Sequence, residues 1–158
     1  MKENNPALWN THQQYMTKAL LLAEEAADKN ETPIGAVVVK DNVVIGKGYN
    51  QVEQLNDPTA HAEMIAISAA CETLGNKYLH NCTLYVTLEP CPMCAGALVW
   101  SKINTVVFGA SDPKSGGCGS LFNVSSNNNL NHQVEVIQGI LEADCEYLLK
   151  SFFSKRRS

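Results

Sequence analysis

Two short segments of this chain carry residue types that bind a metal and move protons: His61-Ala62-Glu63 within HAEMIAISAA, and Pro90-Cys91-Pro92-Met93-Cys94 within TLEPCPMCAGA. One imidazole and two thiolates give a zinc ion three protein ligands and leave its fourth position open, the ligand count of a catalytic rather than a structural zinc. Such a site makes water a nucleophile, so the pattern points to hydrolysis. Cys91 and Cys94 stand three positions apart, which puts both sulfurs on one face of the first turn of a helix. A helix N-terminus favours anionic ligands, which lowers thiol pKa and helps both cysteines bind as thiolates. Glu63, two positions beyond His61, reaches the metal-bound water while staying outside the ligand set, as a proton carrier must.

Two blander readings compete. A Cys-x-x-Cys pair also serves as a redox dithiol or as half of a structural zinc site. A dithiol has no use for His61 or Glu63. A structural site needs a fourth ligand, and Cys71, Cys82, Cys118 and Cys145, like His12, His80 and His132, are scattered singly. Scattered thiols read as small buried hydrophobes.

At 158 residues the chain is expected to form one compact domain. Its 45% apolar and 18% charged residues are those of a globular protein. No segment has the apolar length to cross a bilayer, and the opening MKENNPALWN lacks the apolar core of a signal peptide. Six cysteines without a regular framework fit a reducing compartment, so the expected location is the cytoplasm. A net charge of -4 argues against a whole-surface attraction to nucleic acid and leaves room for a local basic patch. Lys150, Lys155, Arg156 and Arg157 form one, read either as the complement of a helix C-terminal dipole or as phosphate contacts.

The elements around the two segments follow from periodicity and turn chemistry. Apolar residues Leu8, Tyr15, Ala19, Leu22 and Ala26 predict a helix from about Ala7 to Asp28. Ile34 to Val39 and Val43 to Tyr49 predict an antiparallel hairpin turning at Lys40-Asp41-Asn42. Asn50 to Asp57 reads as a polar loop. Asp57-Pro58-Thr59 supplies cap candidates for a helix from about Ala60 to Leu74, stopped by Gly75. Cys82 to Leu88 reads as a buried strand that delivers Glu89-Pro90 to a helix running from Cys91 to about Ser101, and Ile103 to Phe108 as the next strand, parallel to it. Gly109 to Leu130, centred on Ser115-Gly116-Gly117-Cys118-Gly119-Ser120, reads as a functional loop too polar to pack as a core element. Val134 to Gln138 is the last strand and Glu142 to Phe153 the closing helix, its apolar face marked by Leu148, Leu149, Phe152 and Phe153. The expected fold class is α/β: a five-stranded mixed sheet with helices on both faces.

These strings are also recognisable. The H-x-E…P-C-x-x-C pattern is that of the zinc nucleobase deaminases. HAE, LEPCPMCAGA, VVFGASDPKSGGCGSLFNV and NHQVEVIQGILEADCEYLLKSFFSKRR together resemble the bacterial tRNA-specific adenosine deaminases, of the three-layer cytidine-deaminase-like fold, across nearly the whole chain. The resemblance implies hydrolytic deamination of the wobble adenosine of a tRNA anticodon stem-loop to inosine, by a homodimer holding one zinc ion per chain. It implies that His61, Cys91 and Cys94 hold zinc and that Glu63 shuttles the proton; because helix starts expose such groups, backbone amides at Ala62 and Cys91 are expected to face the developing charge. It places Asn50 beside the target nucleotide, where the residue alone reads as a strand-end turn. Asp112 is placed near the anticodon backbone, against its plainer reading as a turn acid ahead of Pro113. Asn131, His132, Phe153 and Arg156 are placed against flanking nucleotides, with core packing the competing role for Phe153. Two rivals share the motif: a free-base or nucleoside deaminase, and a non-catalytic zinc-stabilised RNA-binding module. The basic Lys155-Arg156-Arg157-Ser158 ending, in place of an aromatic or acidic lid, favours an RNA substrate over a free base.

Overall fold

The computed structural model describes residues 5–157, apart from the side chain of Arg157. Helix α1 spans Pro6–Asp28, opened by the Asn5 side chain accepting from the Ala7 amide and by proline at its first position. His12, Tyr15, Met16, Ala19, Ala23 and Ala26 recur at three- and four-residue steps as its buried stripe. Strands β1 (Gly35–Lys40) and β2 (Val43–Tyr49) form the expected antiparallel hairpin. Its turn rests on Asp41 and Asn42 alone, at φ 49° and 62°, a two-residue connection whose left-handed pair matches the strand twist. Strand β3 (Thr83–Leu88) pairs antiparallel with β1 and parallel with β4 (Thr105–Ala110), and β4 pairs parallel with β5 (Glu135–Gln138). The sheet order is therefore β2-β1-β3-β4-β5.

Helices α3 (Ala62–Leu74) and α4 (Pro92–Trp100) cover one face, where Ala62, Ala66, Ala70, Ala95 and Leu98 meet Val38, Leu84, Val86 and Phe108. On the other face α1 and α5 (Glu142–Arg157) supply Tyr15, Met16, Ala19 and Cys145 against Val37, Tyr85 and Val107. The result is the expected three-layer α/β arrangement. Burial on both faces explains why β1 and β3 read as continuous apolar runs. Glycine sets one spacing that matters: a Cβ at Gly48 would strike the Ala62 carbonyl and lie 2.8 Å from the Ala66 amide, so only a bare backbone lets the first turn of α3 rest on β2. Among the described residues no helix is long and apolar enough to cross a membrane.

The structure corrects several local expectations. His61 and Cys91 are not first-turn residues. Both are N-caps in extended backbone, at φ -76°, ψ 153° and φ -70°, ψ 172°. For Cys91 the reason is Pro92, whose fixed φ suits the first helical position and moves the helix start one residue on. Asp57 and Thr59 do not cap α3. The Asp57 carboxylate accepts from the Thr59 amide at 2.8 Å and hydroxyl at 2.7 Å, closing a local turn. The polar stretch after β2 contains a one-turn helix, α2 (Val52–Leu55), held by the buried Glu31 carboxylate, which accepts from the amides of Glu53 and Gln54 at 3.0 and 2.7 Å. The stretch read as a long polar loop from Gly109 gives its first two residues to β4 and buries Gly116, Gly117, Cys118 and Ser125. Helix α5 runs past Phe153, and that residue is 44% exposed, because a step of about 100° from the buried Phe152 carries it off the apolar face.

Candidate metal centre and active site

The two metal-type segments meet because β3 leads into α4 and α3 packs beside α4 on the same sheet face. His61 Nδ1 lies 3.6 Å from Cys91 Sγ and 3.5 Å from Cys94 Sγ, and all three ligand atoms fall within 4.8 Å of one another. Tetrahedral zinc, with bonds of about 2.3 Å to sulfur and 2.0–2.1 Å to nitrogen, sets a nitrogen and a sulfur ligand about 3.5–3.6 Å apart. The residues present therefore fit zinc in both donor chemistry and spacing. Neither cap makes a side-chain hydrogen bond to its helix, so the imidazole and the thiol are not engaged as caps.

The electrostatics suit the same use. The neighbouring Cys94 thiol holds the Cys91 thiol down at about 4, helped by His61, and Cys91 in turn pushes Cys94 well above the usual thiol range. The bond to Cys91 in turn raises His61, against the opposing effect of burial. Glu63 is 4% exposed, and burial pushes its carboxyl up to about 7. A carboxyl that changes state near neutrality beside a metal-type cluster is suited to carrying protons in both directions.

A cleft of about 230 Å³ opens on His61, lined among others by Asn30, Glu31, Asn50, Val52 and Arg156. The structure thus brings Asn50 and Arg156 to His61, with Asn50 buried at the end of β2 and Arg156 arriving from the last turn of α5. The Arg156 guanidinium donates to the Asn30 carbonyl at 2.7 Å and lies 4.6 Å from the centre of the Phe152 ring. Phe153 is exposed three residues before Arg156, on the same side of the helix. Ala62 is buried in the first turn of α3. Asp112 follows β4, and its carboxylate accepts from the amides of Lys114 and Ser115 at 3.1 and 3.2 Å, as a turn acid does. Asn131 and His132 are not brought to the cleft. They precede β5, and the His132 imidazole is 2.6 Å from the Ile103 carbonyl, at the opposite end of the parallel strands from Cys91 and roughly 20 Å away by strand rise.

Two buried carboxylates at the site were not singled out from the residues alone. Glu31 lines the cleft while it holds α2. Glu89 sits two residues before Cys91 and accepts from Asp112, Cys118 and Ser120. Burial works to raise the Glu89 carboxyl, but the hydrogen bonds from Ser120, Asp112 and Cys118 outweigh it and hold it below its usual value. The legible signal was an acidic residue between an apolar strand and a proline, where a charge must find donors.

Known proteins match this chain along almost its full length. Residues 10–157 match the MafB19-like deaminase family. The tRNA-specific adenosine deaminase of Bacillus subtilis (strain 168) is 48% identical over 143 residues, covering 90% of this chain and 89% of that protein. That of Aquifex aeolicus (strain VF5) is 50% identical over 144 residues, covering 91% and 95%. A solved structure from work on A-to-I editing by tRNA A34 deaminases at the wobble position superimposes with a TM-score of 0.83 at 42% identity, over 86% of this chain and 99% of that one. Both metal-type segments and the closing helix lie inside the residues matched by the family, and the chain belongs to the tRNA-specific adenosine deaminases among the MafB19-like deaminases of the cytidine-deaminase-like fold.

Proposed function

We propose that this protein hydrolyses the exocyclic amine of the wobble adenosine in a tRNA anticodon, giving inosine and ammonia. The observation that carries the reading is the buried Glu63 carboxyl beside a His-Cys-Cys cluster whose His61 lines a cleft. His61, Cys91 and Cys94 hold one zinc ion. Bound there, zinc supplies a water whose pKa is lowered from 15.7 toward about 7. Glu63 takes a proton from the attacking water and delivers it to N1 of adenine as the oxygen bonds to C6. It then moves the remaining hydroxyl proton to the amino group. The C6–N6 bond breaks, ammonia leaves, and the ring keeps a carbonyl at C6 and a proton on N1. Backbone amides at Ala62 and Cys91, exposed at the two helix starts, are proposed to meet charge that develops as C6 is attacked.

Asn50 orients the base and Arg156 contacts the backbone of the loop that carries it, with Phe153 and Asp112 proposed to touch flanking nucleotides. An anticodon loop suits this cleft because its bases are already unpaired and leave the stack at low cost. The chain acts as one deaminase domain, as a homodimer in the cytoplasm. Exposed apolar side chains on α4 and on the loop after β4, among them Trp100 at 80% and Phe122 at 52%, support a face that a second copy covers.

The test is to incubate the protein with total tRNA, an anticodon stem-loop, and free adenine, guanine and cytosine, while measuring ammonia and mapping inosine. Inosine is expected only at the first anticodon position of the RNAs. Ammonia from a free base with the RNAs untouched would overturn the reading in favour of a free-base deaminase.

A further inference from the structure

Glu89 takes no part in the chemistry above. It is the last side chain before the Pro90-Cys91 junction and is 2% exposed. Its carboxylate serves four donors of a single segment: the Asp112 amide at 3.0 Å on one oxygen, the amides of Cys118 and Ser120 at 3.1 Å each on the other, and the Ser120 hydroxyl. The segment is seated as closely from its own side. Gly117 donates to the Pro90 carbonyl at 2.7 Å. A Cβ on Gly117 would lie 3.0 Å from the Cys91 carbonyl and 2.9 Å from the Pro92 nitrogen, and one on Gly116 would run into the Glu89 carboxylate itself. Residues 112–122 are thus knotted onto the strand-to-helix junction that presents Cys91.

That junction needs holding. Cys91 is an N-cap in extended backbone, so its sulfur is not aimed by helix geometry. Its carbonyl is tied to Ala95 at 2.8 Å, and the direction of its side chain depends on what pins residues 89–91 from above. We infer that Glu89 is a positioning residue for the metal centre: by clamping the segment after β4 onto the Pro90-Cys91 junction it fixes the Cys91 ligand and slows loss of the metal. The inference rests on the zinc reading proposed above. A carboxylate suits the task because its two oxygens accept all four donors. The amide of glutamine would turn an NH2 group toward a backbone N–H.

The experiment follows transfer of zinc from the loaded protein to a chromogenic chelator. Glu89→Gln and Gly116→Ala are each expected to release zinc on the order of tenfold faster or more, the scale on which supporting hydrogen bonds act on metal affinity. Ser120→Ala, which removes one of the four donors at an exposed residue, should show a smaller acceleration and stands in if Gly116→Ala does not fold. Because Glu89→Gln and Gly116→Ala break the same clamp, the double variant should be no faster than the faster single one. Val107→Ala, in the core on the other sheet face, should lower the thermal midpoint yet release zinc at the unmutated rate. Release from Glu89→Gln and Ser120→Ala at the unmutated rate, or equal acceleration in Val107→Ala, would overturn the inference while leaving the zinc reading intact. An unmutated protein that takes up no zinc would overturn both.

Discussion

Glu63 should separate from His61, Cys91 and Cys94 in what its loss does. It is buried beside the cluster, but the atoms that converge on one point belong to the other three. Glu63→Gln should therefore keep a full complement of zinc, measured by atomic emission, while single-turnover deamination falls by about 10²–10⁴, the worth of a positioned acid–base group. Cys91→Ala should lose metal and activity together. A full zinc complement after that change would contradict the ligand assignment. Arg156 makes a different kind of contribution. Its guanidinium is already oriented toward the cleft mouth by the Asn30 carbonyl and the Phe152 ring, so little ordering remains when a phosphate arrives. Arg156→Ala should weaken anticodon stem-loop binding and reduce the slope of log affinity against log salt by about 1. An unchanged slope would return Arg156 to a purely structural tie between α5 and the α1–β1 connection.

Helix starts are the devices that build this site. His61 and Cys91 are both last residues before a helix, so each proposed ligand is presented by the backbone turn that begins α3 or α4, while Glu63 and Cys94 follow inside the first turns. The position of α3 is set by a close approach to β2, and the spacing there has no slack. Gly48→Ala should force α3 away from the sheet, at a cost of about 1–3 kcal/mol. Its denaturation midpoint should fall, and its zinc content should fall with it because His61 caps the displaced helix. Loss of stability with normal zinc content would mean that the His61 ligand tolerates movement of its helix. The periodicity of α1 and the apolar runs of β1 and β3 were legible because burial on a fixed face leaves a period in the residues. The one-turn α2 left no such period, since its amides are satisfied by Glu31, more than 20 residues earlier.

Zinc held between α3 and α4 would cross-link two segments about 30 residues apart in the chain, a connection the unfolded chain lacks. Binding to the native state alone stabilises by about 2.7 kcal/mol at a hundredfold excess over Kd, so chelation should lower the thermal midpoint by roughly 5–10 °C for a domain of this size. Added zinc should restore the midpoint and added magnesium should not, since thiolates are poor magnesium ligands. An unchanged midpoint in chelator would mean that the cluster contributes nothing to holding the two helices together. The net charge of -4 matters here too, because RNA binding as proposed would have to rely on local groups such as Arg156.

By itself the sequence determined the His-Cys-Cys cluster and its spacing, the carboxylate beside it, the order of the longer helices and the strands, and the parallel pairing of β3 with β4. All of these are local, or follow from a rule of chain connection, and so are written in neighbouring residues. Only the tertiary structure decided what comes from distant segments: that Asn50 and Arg156 share a cleft with His61, that His132 is held near Ile103 instead, and that Phe153 faces outward. It also decided that Glu89 gathers the amides of a glycine-rich segment more than 20 residues further on. A buried carboxylate must find its donors, but nothing in the order of residues says which part of the chain will supply them.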